Sequence, residues 1–266
     1  MMLLTKRTGK YVINKPRSEN RMIQVIVIIG LITTAIFFAT NINGAEFIPK
    51  RTIKIVKAIF RYDLIDWSTW KLIFRGMLVS VSLGAIVTIF SALFGVLFGA
   101  LASRNLVKKS VVTVVKGLFA FVRAIPTVII VIAFIPSFGI TASAAIIGML
   151  FHSIAFFVKA FSETFEEVDE ATIEALRATG SNKIKIFVSA ILPSSYTKLI
   201  GWLALRFEIN IAVAIIIGPV VGVPGSIGTI INSFIRYSVW HGVGGALLVV
   251  IVVAYVMEIL VEKLKK

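Results

Sequence analysis

The sequence predicts an all-α, polytopic transmembrane bundle of about six spans. Three observations carry this. Hydrophobic residues make up 58% of the 266 positions, at a mean hydropathy of +0.97, where soluble domains average about 45–50% apolar. The apolar excess lies in runs close to the roughly 20 residues that a bilayer-crossing helix needs. Most of the basic residues flank those runs.

The first run, residues 22–40, follows a segment carrying Lys6, Arg7, Lys10, Lys15, Arg17 and Arg21. It is read as a span. A cleaved signal peptide is the alternative, with Asn43, Gly44 and Ala45 imitating a processing site, although its apolar region would be shorter. In IKIVKAIFRY, Ile53, Val56, Ile59 and Phe60 share one helical face, with Lys54, Lys57 and Arg61 largely on another. That pattern predicts an amphipathic helix in the membrane interface, followed by Trp67 and Trp70 at headgroup depth. Residues 1–75 form one predicted segment, and 76–266 form the core.

The second span, residues 76–102, is rich in small side chains: Ser80, Ser82, Gly84, Ser91, Gly95 and Gly99. In lipid, such residues let helix backbones approach closely. The third run, 111–138, is broken by Pro126 and Pro136, and its membrane part is expected from about Ala124, after an amphipathic lead-in. The fourth is 141–160, the fifth 199–220 and the sixth 239–260. Six spans place both termini on one side. The excess of Lys and Arg in the connections makes that side cytoplasmic, in a multi-pass cell-membrane protein. Lys50, Arg51, Lys54, Lys57, Arg61, Lys71 and Arg75 run against this rule on the outer side.

The net charge of +15 fits anionic lipid headgroups. Without an aromatic-interleaved basic patch it does not indicate nucleic acid. The absence of cysteine excludes disulfides and thiolate metal sites, and the two histidines, His152 and His241, are far apart in sequence. No metal site is expected.

Residues 161–198 are the longest polar gap. Asp169 is the predicted N-cap of a short helix with Glu170 in its first turn and Arg177 in its last, and Gly180 suits the position after its end. Ser181 or Asn182 can cap a second helix over 183–190, which Pro193 is expected to end. A charged helical pair without catalytic groups of its own suits docking to a soluble partner.

Glu174-Ala175, Gly180 six residues after the glutamate, and Leu192-Pro193 resemble the EAA loop of ABC-transporter permeases. Leu176 and Ala190 depart from that pattern. ASRNL (102–106), RAIP (123–126), the block 152–182 and RFE (206–208) are similar to the phosphonate permeases of that superfamily. The resemblance implies a type I ABC importer permease fold and a coupling loop at about 162–198, holding Glu174, Ala175, Arg177, Gly180, Leu192 and Pro193. It further implies a homodimer, an ABC ATPase subunit carrying ATP and Mg, and an extracytoplasmic binding protein that delivers phosphonate or a related phosphorus oxyanion. Phosphite or methionine is the alternative solute.

The residues agree independently. No GxxxxGK[ST] occurs, so an ATP-driven role would need a partner chain. No cofactor is expected on this one. Charges within spans point to function, and Arg123, Arg206 and Glu208 are candidates for the translocation path or for intramembrane pairing. GPVVGVPGSIG, with Gly218, Pro219, Gly222, Pro224, Gly225 and Gly228, is a candidate gate, an ordinary outer loop being the other reading. An intramembrane enzyme would need a base near its serines, and a channel would not need a docking loop. Both rank below a permease.

Overall fold

The computed structural model describes residues 4–7, 10–13, 17–41 and 49–264. The possible processing site Asn43–Ala45 lies outside these residues. The chain divides into two compact units, Met1–Ile53 and Lys54–Lys266. In the first, β1 (Leu4–Arg7) pairs antiparallel with β2 (Lys10–Ile13), a short hairpin that the basic composition concealed. Helix α1 (Arg17–Asn41) follows, and Arg21–Thr40 is long and apolar enough to cross a bilayer. Thr33 and Thr34 there donate to carbonyls one turn back, at 2.8 and 2.7 Å. Their hydroxyls therefore need no water.

Helix α2 (Pro49–Ile59) forms over most of the segment whose pattern predicts it, with Ile53 and Val56 exposed on its apolar side and Phe60 and Arg61 beyond its end. In the second unit, Asp66 caps α3 (Trp67–Leu101) by accepting from the Thr69 N–H. At about 1.5 Å per residue, α3 is longer than a bilayer core is thick. Its small residues line one stripe. Ser80, Gly84, Ser91, Gly95 and Gly99 are buried, and Ser82 falls off the stripe and is exposed. A Cβ on Gly95 would sit 2.4 Å from the Phe157 Cβ, and one on Gly99 3.0 Å from the Phe161 Cβ. The glycine pair therefore seats α6 (Ala142–Glu166) within the same chain. In lipid, such close packing holds helices together, because the hydrophobic effect does not act between them.

The third run is a bent pair. α4 (Lys109–Ala124) and α5 (Thr127–Phe138) meet at 86° across Ile125-Pro126. The described residues therefore hold five complete candidate spans, or six with this pair counted as one. Pro126 makes the break. Pro136, expected to break the run too, lies within the last turn of α5.

Three further expectations are corrected. The polar gap does not begin at 161, because α6 continues to Glu166 with Phe161 and Phe165 fully packed. Pro193 does not end a helix. α8 (Lys183–Ile186) passes through a π-helical turn, Phe187–Ile191, into α9 (Leu192–Val221). Pro193 sits in the first turn of α9, where its missing N–H costs least. The Gly/Pro break is also shorter than expected. Gly218 and Pro219 belong to α9, Gly228 belongs to α10 (Ile227–Arg236), and α11 (Trp240–Leu264) completes the bundle.

Candidate functional site

The polar connection folds as α7 (Glu170–Ala178) followed by α8. The Asp169 carboxylate accepts from the Ala171 N–H at 3.3 Å, and the Asn182 side chain accepts from the Lys185 N–H at 2.8 Å. Asn182, rather than Ser181, is the second cap. At the far end of α7, Gly180 donates to Arg177 O and Ser181 to Leu176 O, at 2.9 and 3.2 Å. This is the paired-bond closure in which the residue after the C-cap adopts a left-handed conformation, and Gly180 has φ +79°. A Cβ there would meet nothing within 4 Å, so backbone conformation alone selects glycine.

One face of α7 is anchored. Ile173 is buried with Phe165, Ile186 and Ile191, and Leu176, Phe187 and Leu192 pack around them. The other face is free: Glu170, Thr172, Glu174 and Ala175 are exposed. Ile184, on α8, is 76% exposed, an apolar tip between Lys183 and Lys185. Pro193 is exposed at the start of α9.

A polar latch ties α7 to the bundle. Arg177 Nη2 donates to Asn105 O at 2.9 Å, and Asn105 Nδ2 donates to Phe165 O at 2.8 Å. The buried Ser103 hydroxyl holds the Asn105 amide oxygen. Glu166 accepts from the Arg104 N–H and from Lys116 Nζ, both at 2.9 Å. The ASRNL motif (102–106) therefore has a structural job that its resemblance to other permeases does not reveal. The signal was present: serine and asparagine two apart, a short turn, and a helix end to bind.

The second cluster lies between α3, α6 and α9. Arg206 is 4% exposed. Its Nε and Nη2 donate to the Ser153 hydroxyl at 3.1 and 2.9 Å, and its guanidinium lies 5.0 Å from the Phe156 ring centre. Ser153 donates to Asn210 Oδ1 at 2.8 Å, Asn210 Nδ2 to Thr88 Oγ1 at 2.9 Å, and Thr88 to Gly84 O at 2.7 Å. An arginine at the centre of a spanning helix costs about 2.5–3.5 kcal/mol on insertion scales. The serine, asparagine and aromatic face offset part of that. Glu208, half-buried two residues on, makes no ion pair among the described residues. Arg206 and Glu208 are therefore not brought together within the chain. Arg123 is exposed at the end of α4, beside a cleft against α6.

The Gly/Pro corner is tightly packed. Gly222 (φ +69°) ends α9, and Ser226 caps α10 through the Thr229 N–H at 3.3 Å. Thr229 Oγ1 donates to Gly218 O and Val223 O, at 3.0 and 2.8 Å. A Cβ on Gly228 would lie 2.0 Å from Ile215 O, so no side chain fits. The described residues contain no cluster of His, Cys, Asp and Glu able to hold a metal ion.

Residues 95–266 match the family of binding-protein-dependent transport system inner membrane components. The chain belongs to this family. It is a multi-pass permease subunit of an ABC importer. Among curated proteins it is 27% identical to the phosphate-import permease protein PhnE of Mycolicibacterium smegmatis, over 70% of this chain and 35% of that one. The chain thus spans about a third of that relative's length. It is 24% identical to the phosphite transport system permease protein PtxC of Stutzerimonas stutzeri, over 91% and 88% of the two chains. Among solved structures, an inward-facing MetNI methionine ABC transporter superposes with a TM-score of 0.67 at 19% identity, covering 76% of this chain and 98% of that one. A bacterial ABC transporter for the acidic polysaccharide alginate gives 0.60 at 14%, covering 94% and 98%. These likenesses identify the type I ABC importer permease fold.

Proposed function

We propose that this permease moves phosphonate or a related phosphorus oxyanion inward, as a homodimer served by two ATPase subunits and an extracytoplasmic binding protein. The α7–α8 pair is the coupling element, and both termini are cytoplasmic. The observation that carries this reading is the form of α7. It is closed at both ends, anchored by Ile173 and Arg177, and presents Glu174 and Ala175 to solvent. Such a surface can transmit a push from a docked ATPase, which binds ATP and Mg, without doing chemistry itself. Phosphorus oxyanions are supported by the names of the PhnE and PtxC relatives.

ATP-dependent uptake in proteoliposomes tests both parts, using the chain with its ATPase and binding protein and offering methylphosphonate, phosphite and methionine. Uptake of a phosphorus oxyanion, abolished by Gly180→Pro, is expected, because proline cannot adopt φ +79°. Uptake of methionine alone overturns the substrate class and keeps the architecture. ATP hydrolysis with no solute moved overturns the importer reading.

A further inference from the structure

A cleft of about 490 Å³ runs between α4 and α6. Phe119, Ala120, Ala124, Ala155 and Val158 form its apolar walls, and the small alanines keep it open. Glu163 is the one carboxylate among its lining residues, beside three cations: Lys116, Arg123 and Lys159. They are not equivalent. Lys116 is held by Glu166 at 2.9 Å. Lys159 has only Glu163 at 3.9 Å, and both side chains are more than half exposed, so that pair contributes little. Arg123 has no carboxylate within ion-pair distance among the described residues. The cleft thus holds one unpaired and one loosely paired cation.

We propose that the α4–α6 cleft binds a tetrahedral phosphorus oxyanion between Arg123 and Lys159. The guanidinium fork matches two oxygens of such an anion, and the lysine ammonium supplies a compact second charge. The 86° bend at Ile125-Pro126 leaves Arg123 at the very end of α4, at the cleft's rim. The cleft lies on the half of α6 that leads to the coupling corner, and Lys116 and Glu166 join its wall to the Arg104 turn. An oxyanion passing toward that side would meet these cations late in transit. The identity of the free solute rests on the proposed function. The same chemistry is offered by the phosphate of an anionic lipid headgroup.

The test uses the assembled permease–ATPase complex in a maltoside detergent, which contains no phosphorus. Binding of methylphosphonate is read from ³¹P line broadening, and retention of phosphatidylglycerol from native mass spectrometry. Arg123→Gln and Lys159→Gln are compared with wild type, and Lys71→Gln, remote from the cleft beside Trp67, serves as control. Each cleft variant should weaken binding of one of the two probes by roughly tenfold or more, the effect of losing a charged hydrogen bond. Loss of methylphosphonate binding identifies a solute site, and loss of lipid retention alone identifies a headgroup site. Both outcomes support the proposal. Unchanged binding of both probes overturns it, as does an equal loss in Lys71→Gln. Should one variant fail to assemble, the other gives the answer. If the complex takes up only a phosphorus-free solute in proteoliposomes, the substrate class fails, while lipid retention still reads the cleft.

Discussion

The two ends of α9 solve the same problem, a sharp turn, in opposite ways. The N-terminal turn precedes α8, which runs on through the π turn into α9: the chain arrives there from α7 through Gly180, where added atoms would meet open space. At its C-terminal end it leaves through Gly218–Gly228, where a methyl group added at Gly228 would collide with the Ile215 carbonyl. The first corner is fixed by a few polar bonds and keeps one face uncovered. The second is filled with packed atoms, with Val223 and Ile227 fully buried. α9 is 30 residues long, roughly 45 Å. A stiff rod with one closely packed end and one end presented to a partner can carry a displacement from the presented end into the bundle.

The largest effect should come from breaking the packed corner. Gly228→Ala is expected to cost about 3 kcal/mol or more, because the Ile215 carbonyl cannot yield without distorting α9. Thermal unfolding in detergent should show a lowered transition or no folded protein. Gly180→Ala is expected to cost only about 1–2 kcal/mol, the penalty for a left-handed L-residue. The complex should assemble, with uptake reduced more than ATP hydrolysis. An equal loss of stability at the two glycines would remove the contrast.

Much of this was legible in the sequence. The coupling corner announces itself through local rules: Asp169 and Asn182 are caps, Gly180 is a C-terminal stop, and each acts on neighbours within three or four residues. The positions of the apolar runs follow from composition. What sequence reasoning missed depends on distant partners. Asn105 meets Arg177 across 72 residues, and Ser153 meets Asn210 across 57. No local spacing encodes either contact. The extents of α6 and α9 were misread for a related reason. Phe161 and Phe165 are continued into the helix by the glycine groove of α3, and the π turn carries α8 past Pro193. The place of Gly228 within α10 likewise needed knowledge of what it packs against, the Ile215 carbonyl of α9.

Smaller effects sharpen the comparison. Asn105→Ala frees the latch from Phe165 O while leaving the backbone carbonyl that Arg177 uses. It should cost about 1–2 kcal/mol and lower the number of solutes moved per ATP, measured by paired uptake and hydrolysis assays. The smallest effect concerns Asp66. Hydrogen bonds from the Ser68 hydroxyl and the Thr69 N–H lower its pKa from the usual 3.8 to about 2. The carboxylate's contribution to capping α3 is therefore complete above pH 3.8 and is lost as the pH falls through 2. Asp66→Asn should flatten the stability profile only in that window and leave it unchanged between pH 5 and 8.

The central claim is that α7 meets the ATPase and the Gly/Pro corner does not. The chain contains no cysteine, so a single introduced thiol reports one place. Ala175→Cys on α7 and Tyr237→Cys beyond α10, where the native tyrosine is 75% exposed, would each be labelled with a maleimide–benzophenone, which needs no second thiol, and irradiated in the assembled complex. The account predicts an ATPase cross-link from Ala175→Cys, changing in yield with nucleotide, and none from Tyr237→Cys. Cross-linking from Tyr237→Cys, or none from Ala175→Cys in a complex that still hydrolyses ATP, would contradict it.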